Sequence, residues 1–159
     1  MIFLKTNEEI ELIRESSLLV GKTLAEVAKH IKPGVTTLEL DKVAEDFIRD
    51  HQAEPGFLGY GGFPNSLCTS VNEAVVHGIP NARPLENGDI VSIDCGVLKN
   101  DFYGDSAYTF EIGEVSEEIK KLLEVTKECL NRSVAAAISG NRLGDIGFAC
   151  QSFAESNGY

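Results

Sequence analysis

The sequence predicts an α/β chain of the α+β kind, an antiparallel sheet with helices on one side of it. Three observations carry this. Two helical apolar stripes, each opened by a capping box, fill residues 6–51. Two strand-like runs joined by a turn occupy 89–110 within a loop-and-sheet region spanning 57–113. A second pair of helical stripes fills 116–157.

In order, the first helix opens at Thr6, with Glu9 three residues on, and carries Ile10, Ile13, Val20, Leu24, Val27 and Ile31 on one stripe until Pro33-Gly34 stops it. The second opens near Thr36 with Glu39 completing its box and buries Leu40, Val43, Ala44, Phe47 and Ile48, ending before Pro55-Gly56. The glycine- and aromatic-rich stretch from Phe57 to Ser66 reads as a loop that approaches a ligand closely. Short strands are expected over Leu67 to Val71 and Glu73 to Val76, and Asn87-Gly88 is a turn signal. A third helix from Ser116 presents Ile119, Leu122, Leu123, Thr126, Cys129, Leu130, Val134 and Ile138 inward until Gly140. A fourth runs from about Leu143 through Ile146, Ala149 and Phe153 to a C-cap at Asn157-Gly158. A shift of 106 positions lays Gly34 on Gly140, Leu40 on Ile146, Val43 on Ala149 and Phe47 on Phe153. So loose a match is common between any two helix pairs. If it is a true repeat, strands corresponding to those after the first pair are missing after the second.

The 159 residues suffice for one domain with a core. A formal charge of −11 argues against a nucleic-acid surface, which needs clustered Lys and Arg, and fits an acidic cytoplasmic protein. No run approaches membrane-spanning length, and Met1 to Asn7 hold too short an apolar stretch for a signal peptide. The four cysteines, at 68, 95, 129 and 150, show no short paired spacing, so reduced, partly buried thiols are expected rather than a zinc knuckle or redox pair.

The chemistry concentrates in the runs Asp89 to Leu98 and Asp101 to Phe110. A two-residue turn at Lys99-Asn100 would pair Leu98 with Asp101 and set Asp94 opposite Asp105. Opposed like charges about 5 Å apart destabilise a sheet, so two carboxylates among Ile, Val, Phe and Tyr call for a cation. Two ions about 3.5–4 Å apart would suit a hydrolytic site. Two plainer readings stand beside this: a solvated hairpin face whose register, slipped by one residue, parts the aspartates, and a single Mg²⁺ or Ca²⁺ site.

The segments Leu4 to Glu11, Tyr60-Gly61-Gly62-Phe63-Pro64, Cys68-Thr69-Ser70-Val71-Asn72-Glu73, Val76-His77-Gly78-Ile79-Pro80, Gly88 to Asp94 and Tyr103-Gly104-Asp105, in this order and spacing, resemble type I methionine aminopeptidases of the M24 peptidase family. The resemblance covers the whole chain. It implies the pita-bread fold, two α/β halves about a pseudo-twofold axis, and a single catalytic domain of which 1–159 is an N-terminal portion. It also implies metal-dependent removal of the initiator methionine from nascent polypeptides.

Through the resemblance, Asp94 and Asp105 match two of five ligands to two divalent metal ions (Co, Mn, Fe or Zn). The other three match nothing here, and His30 and His51 match no ligand. His77 matches a catalytic, substrate-binding histidine that hydrogen-bonds the scissile amide; a turn histidine capping local backbone is the plainer reading. Phe57, Tyr60, Phe63 and Cys68 match positions lining a methionine side-chain pocket. Phe57 and Phe63 stand where well-known bacterial members carry Cys and Tyr, and Phe57 reads equally as part of an aromatic core. The implied partner is the N-terminal peptide of nascent polypeptides near the ribosome, with no membrane and no direct nucleic-acid contact, the complete protein being a monomer. The chain alone is expected to bind metal weakly and to be inactive. Two rivals remain: an Xaa-Pro aminopeptidase-like enzyme and a non-catalytic pita-bread binding module.

Overall fold

A computed structural model describes residues 3–159; the leader reading rests partly on Met1 and Ile2, outside them. The chain forms two compact units, one through Glu114 and one from Val115. In the first, helix α1 (Asn7–Ala28) starts on a complete capping box. The Thr6 hydroxyl accepts from Glu9 N at 3.2 Å, and the Glu9 carboxylate accepts from Thr6 N at 2.8 Å. Helix α2 (Thr37–Asp50) repeats the device with Thr36 and Glu39. α1 stops earlier than its apolar stripe suggests, so Ile31 lies beyond the helix, half-buried against the core, while Ile10 is exposed. The chain then reverses at Gly34, whose φ of 91° suits a residue without Cβ.

Four antiparallel strands complete this unit: β1 (Glu54–Pro55), β2 (Leu67–Val71), β3 (Ile90–Lys99) and β4 (Phe102–Glu111). β3 is central. β4 runs along one edge, and β1 and β2 share the other. Alternation along β3 sorts the faces: Val91, Ile93, Cys95 and Val97 are fully buried and join Val20, Val27, Leu40, Ala44 and Ile48 in one core beneath α1 and α2. Asp94 and Gly96 point the other way.

The hairpin turn is Asn100-Asp101, not Lys99-Asn100. Both residues have positive φ, 53° and 64°, as a type I′ turn requires, and Lys99 pairs with Phe102. α1 selects this register: the Ser16 hydroxyl lies 3.1 Å from the Lys99 carbonyl oxygen and 2.9 Å from that of Phe102, and Asn100 Nδ2 donates to Glu15 Oε2 at 2.9 Å. Asp94 therefore faces Ala107, and Asp105 faces Gly96. The register differs by two residues, so both aspartates keep the face expected of them. Glu73 to Val76 is not a strand; Asn72, at φ 52°, turns the chain there and Ala74 N donates to the Val71 carbonyl.

The second unit is a helical hairpin of α3 (Glu117–Ala136) and α4 (Leu143–Ser156). Lys121 Nζ donates to the Asn157 carbonyl at 3.1 Å, and the Arg132 guanidinium lies 3.8 Å from the Phe153 ring centroid. α3 ends at Ala136, short of Gly140. Of its expected inner face Cys129 is buried and Ile119 and Leu123 are half-buried, whereas Leu122, Thr126, Leu130, Val134 and Ile138 are exposed. Its apolar residues form more than one stripe, and a single neighbouring helix covers only one. α2 and α4 both span 14 residues, offset by 106 at each end, so the weak sequence echo exists as local structure.

Candidate active site

The face of the first unit's sheet opposite α1 and α2 floors a cavity of about 860 Å³. All seven residues singled out in the sequence line it: Phe57, Tyr60, Phe63, Cys68, His77, Asp94 and Asp105. Tyr103 and Ile79 join them without having been assigned a role; Tyr103 was legible as the residue two before Asp105 on one strand face.

The strands admit two carboxylates because their neighbours are small. Asp94 sits between Cys68 on β2 and Ala107 on β4, and Asp105 faces a glycine. The two converge diagonally within hydrogen-bonding reach. Burial first, then the Asp105 charge and a hydrogen bond with Asp105, push Asp94 up to about 6, against the opposing effects of His77 and the Cys95 backbone N–H. The same carboxylates act on the cysteines. Burial chiefly, with Asp94 and Asp105 assisting, raises Cys68 and pushes Cys95 up to about 12. Cys68 is thus a neutral, polarizable wall of the cavity rather than a thiolate nucleophile.

Close backbone contacts set the walls. A Cβ on Gly96 would lie 2.5 Å from the Phe57 ring, so the ring occupies the space that a side chain at 96 would take. At the rim, Thr69 N donates to the Gly78 carbonyl at 2.7 Å and Gly78 N to Ser70 Oγ at 3.1 Å. A Cβ on Gly78 would lie 2.2 Å from the Thr69 carbonyl oxygen. This clamp on β2 holds His77, itself at φ 60°, in the cavity lining, near enough for its charge to act on Asp94. His51 lies elsewhere, capping α2 with Nδ1 2.8 Å from the Phe47 carbonyl oxygen.

One supporting residue escaped the sequence reading. Asp41 is buried on α2, and its carboxylate accepts from Asn65 Nδ2 and from the backbone N–H groups of Ser66 and Leu67, at 2.8–2.9 Å. It anchors the segment between Phe63 and Cys68. Its signal was present: an acidic residue on the apolar stripe beside Leu40 and Ala44.

The Asp94–Asp105 pair fits a divalent cation in charge and hardness, since a half-buried carboxylate beside an exposed one of like charge is what a cation relieves. Among the described residues no group of three or more His, Cys, Asp or Glu could hold a metal ion, so the pair is an anchor and not a full coordination set.

The sequence pattern of metallopeptidase family M24 matches residues 11–159. The chain belongs to metallopeptidase family M24. Among M24 relatives, a methionine aminopeptidase of Clostridium acetobutylicum is 53% identical over all of this chain and 64% of its own length. The crystal structure of methionine aminopeptidase from Rickettsia prowazekii superposes with a TM-score of 0.98 at 42% identity, over all of this chain and 64% of that one. A prolidase from Pyrococcus furiosus, 23% identical with a TM-score of 0.83, shows the shared pita-bread fold alone. The chain thus spans about 64% of the length of these methionine aminopeptidases. Family membership carries a divalent-metal requirement with it, and no helix among the described residues is long and apolar enough to cross a membrane.

Proposed function

We propose that this chain is the substrate-pocket and metal-anchoring portion of a methionine aminopeptidase that removes the initiator methionine from nascent polypeptides in the cytoplasm. The observation that carries this reading is the convergence of Asp94 and Asp105 on the floor of a cavity walled by aromatic rings and a neutral thiol, with His77 at its rim. Asp94 and Asp105 would hold two divalent ions of the Co, Mn, Fe or Zn kind. Two carboxylates are an anchor for such ions, and further donors would complete their coordination. Metal bound there supplies a water acidic enough to act near neutral pH.

The chain's own residues do the rest. Phe57, Tyr60, Phe63 and Cys68 enclose an apolar, polarizable side chain, which suits a thioether. His77 donates a hydrogen bond to the amide group being cleaved and stabilises charge that develops there.

The test is the complete gene product, reconstituted with Mn²⁺ or Co²⁺ and offered Met-Ala-Ser and Xaa-Pro peptides. Release of methionine, strongly reduced by His77→Ala, supports the proposal. Turnover of only Xaa-Pro peptides, or chelator-insensitive peptide binding without turnover, overturns it. For the 159-residue polypeptide by itself, the lack of a third ligand among the described residues favours the second reading, a peptide-holding module without catalysis.

A further inference from the structure

We propose that Cys129 and Cys150 are a reversible dithiol–disulfide site that locks the α3–α4 hairpin when it meets a low-molecular-weight disulfide of the glutathione class. Spacing along the sequence hides this pair; the hairpin creates it. Cys129 lies seven residues before the end of α3 at Ala136, and Cys150 seven residues after the start of α4 at Leu143, so antiparallel helices bring them level. Cys129 Sγ donates a weak hydrogen bond to the Cys150 carbonyl oxygen at 3.6 Å. A sulfur in that position is beside the Cys150 backbone, and a disulfide asks that the two Cα atoms lie within about 7 Å of each other.

The thiols also sense one another: after burial, a hydrogen bond with Cys150 and its charge are what raise the Cys129 thiol. Both are free thiols. The other two cysteines make no such pair. Cys95 faces the core with Ile93 and Val97, whereas Cys68 pairs across the strands with Asp94 and faces the cavity.

Exposure sets the order of events. Cys150 is half-buried and Cys129 is 6% exposed, so Cys150 meets the reagent first. Its thiolate attacks one sulfur of the reagent; the reagent's S–S bond breaks and one thiolate leaves with the electron pair. Cys129, its proton given to water, then attacks Cys150 Sγ, and the second reagent thiolate departs. Two protein thiols are oxidised to one disulfide, one reagent disulfide is reduced to two thiols, and the two protons end on those thiols.

The experiment uses the 159-residue chain at pH 8 with oxidised glutathione, followed by alkylation, tryptic digestion and mass spectrometry. The expected product links peptide 128–132 to peptide 143–159, lighter than the two free peptides by two hydrogens. It reverts with dithiothreitol, while Cys68 and Cys95 remain alkylatable after unfolding. All four cysteines alkylated, a lasting glutathione adduct on Cys150 without the link, or a bridge involving Cys68 or Cys95 would each overturn the proposal. In Cys150→Ser, Cys129 is expected to stay unmodified, and a glutathione adduct there would overturn the order of attack.

Discussion

Asp94 and Asp105 show how much a single side-chain environment decides. In the metal-free chain Asp94 is raised to about 6, above an unfolded-state aspartate near 3.9, by burial and by the Asp105 charge. Between those values the folded chain holds more protons than the unfolded one, so stability falls as pH rises from about 4 to about 6 and stays lowered above that. The penalty at neutral pH is about 1 kcal/mol once the shift of this partly exposed group is discounted for solvent screening. Asp94→Asn should remove it: urea unfolding with chelator present should show a more stable variant at pH 7 and a flatter profile between pH 4 and 6. A variant less stable than the parent at pH 7 contradicts this account. Asp41 predicts the opposite sign. Asp41→Ala leaves two buried backbone N–H groups unpaired and should cost about 3 kcal/mol in the same measurement.

At the scale of elements, the β3–β4 hairpin places the aspartates, and two contacts fix it to α1. Gly104 is the first: a Cβ there would lie 2.5 Å from Ser17 N and 2.6 Å from Ser16 C, which are helix backbone that has no room to give. Gly104→Ala should therefore cost roughly 1–3 kcal/mol as overpacking. The Asn100-Asp101 turn is the second. Asp101, at φ 64°, occupies the position where type I′ turns prefer glycine. Asp101→Gly should raise the thermal midpoint slightly, by a stability gain of about 0.5 kcal/mol; a lower midpoint would count against the turn assignment.

The same elements explain what the sequence could and could not reveal. The capping boxes at Thr6 and Thr36 were readable because three-residue spacing is local chemistry. The shared face of Asp94 and Asp105 was readable because strand periodicity is two. Their true pairing was not, because Ser16 and Glu15, more than eighty residues away, select the turn. β1 escaped notice since two residues carry no periodicity, and Cys129 with Cys150 required the helices to be set side by side.

For the whole molecule, the question is what two ligands can do without the others. The cavity in the first unit is complete enough to have a floor, aromatic walls and a histidine at its rim. Its cation anchor is not, since the described residues offer two convergent carboxylates where first-row divalent ions seek four to six donors. Charge attraction alone, with solvent filling the remaining positions, gives a site of the weak kind, with dissociation constants of roughly 0.1 mM or above. Calorimetric titration of the 159-residue chain with Mn²⁺ or Co²⁺ at pH 7.5 should show weak binding that Asp94→Asn abolishes, and the chain should not release methionine from Met-Ala-Ser. Tight binding of two ions would show that residues 1–159 supply more ligands than Asp94 and Asp105. Metal that binds equally well after Asp94→Asn would place the cation elsewhere and remove the physical basis for reading this cavity as a peptidase site.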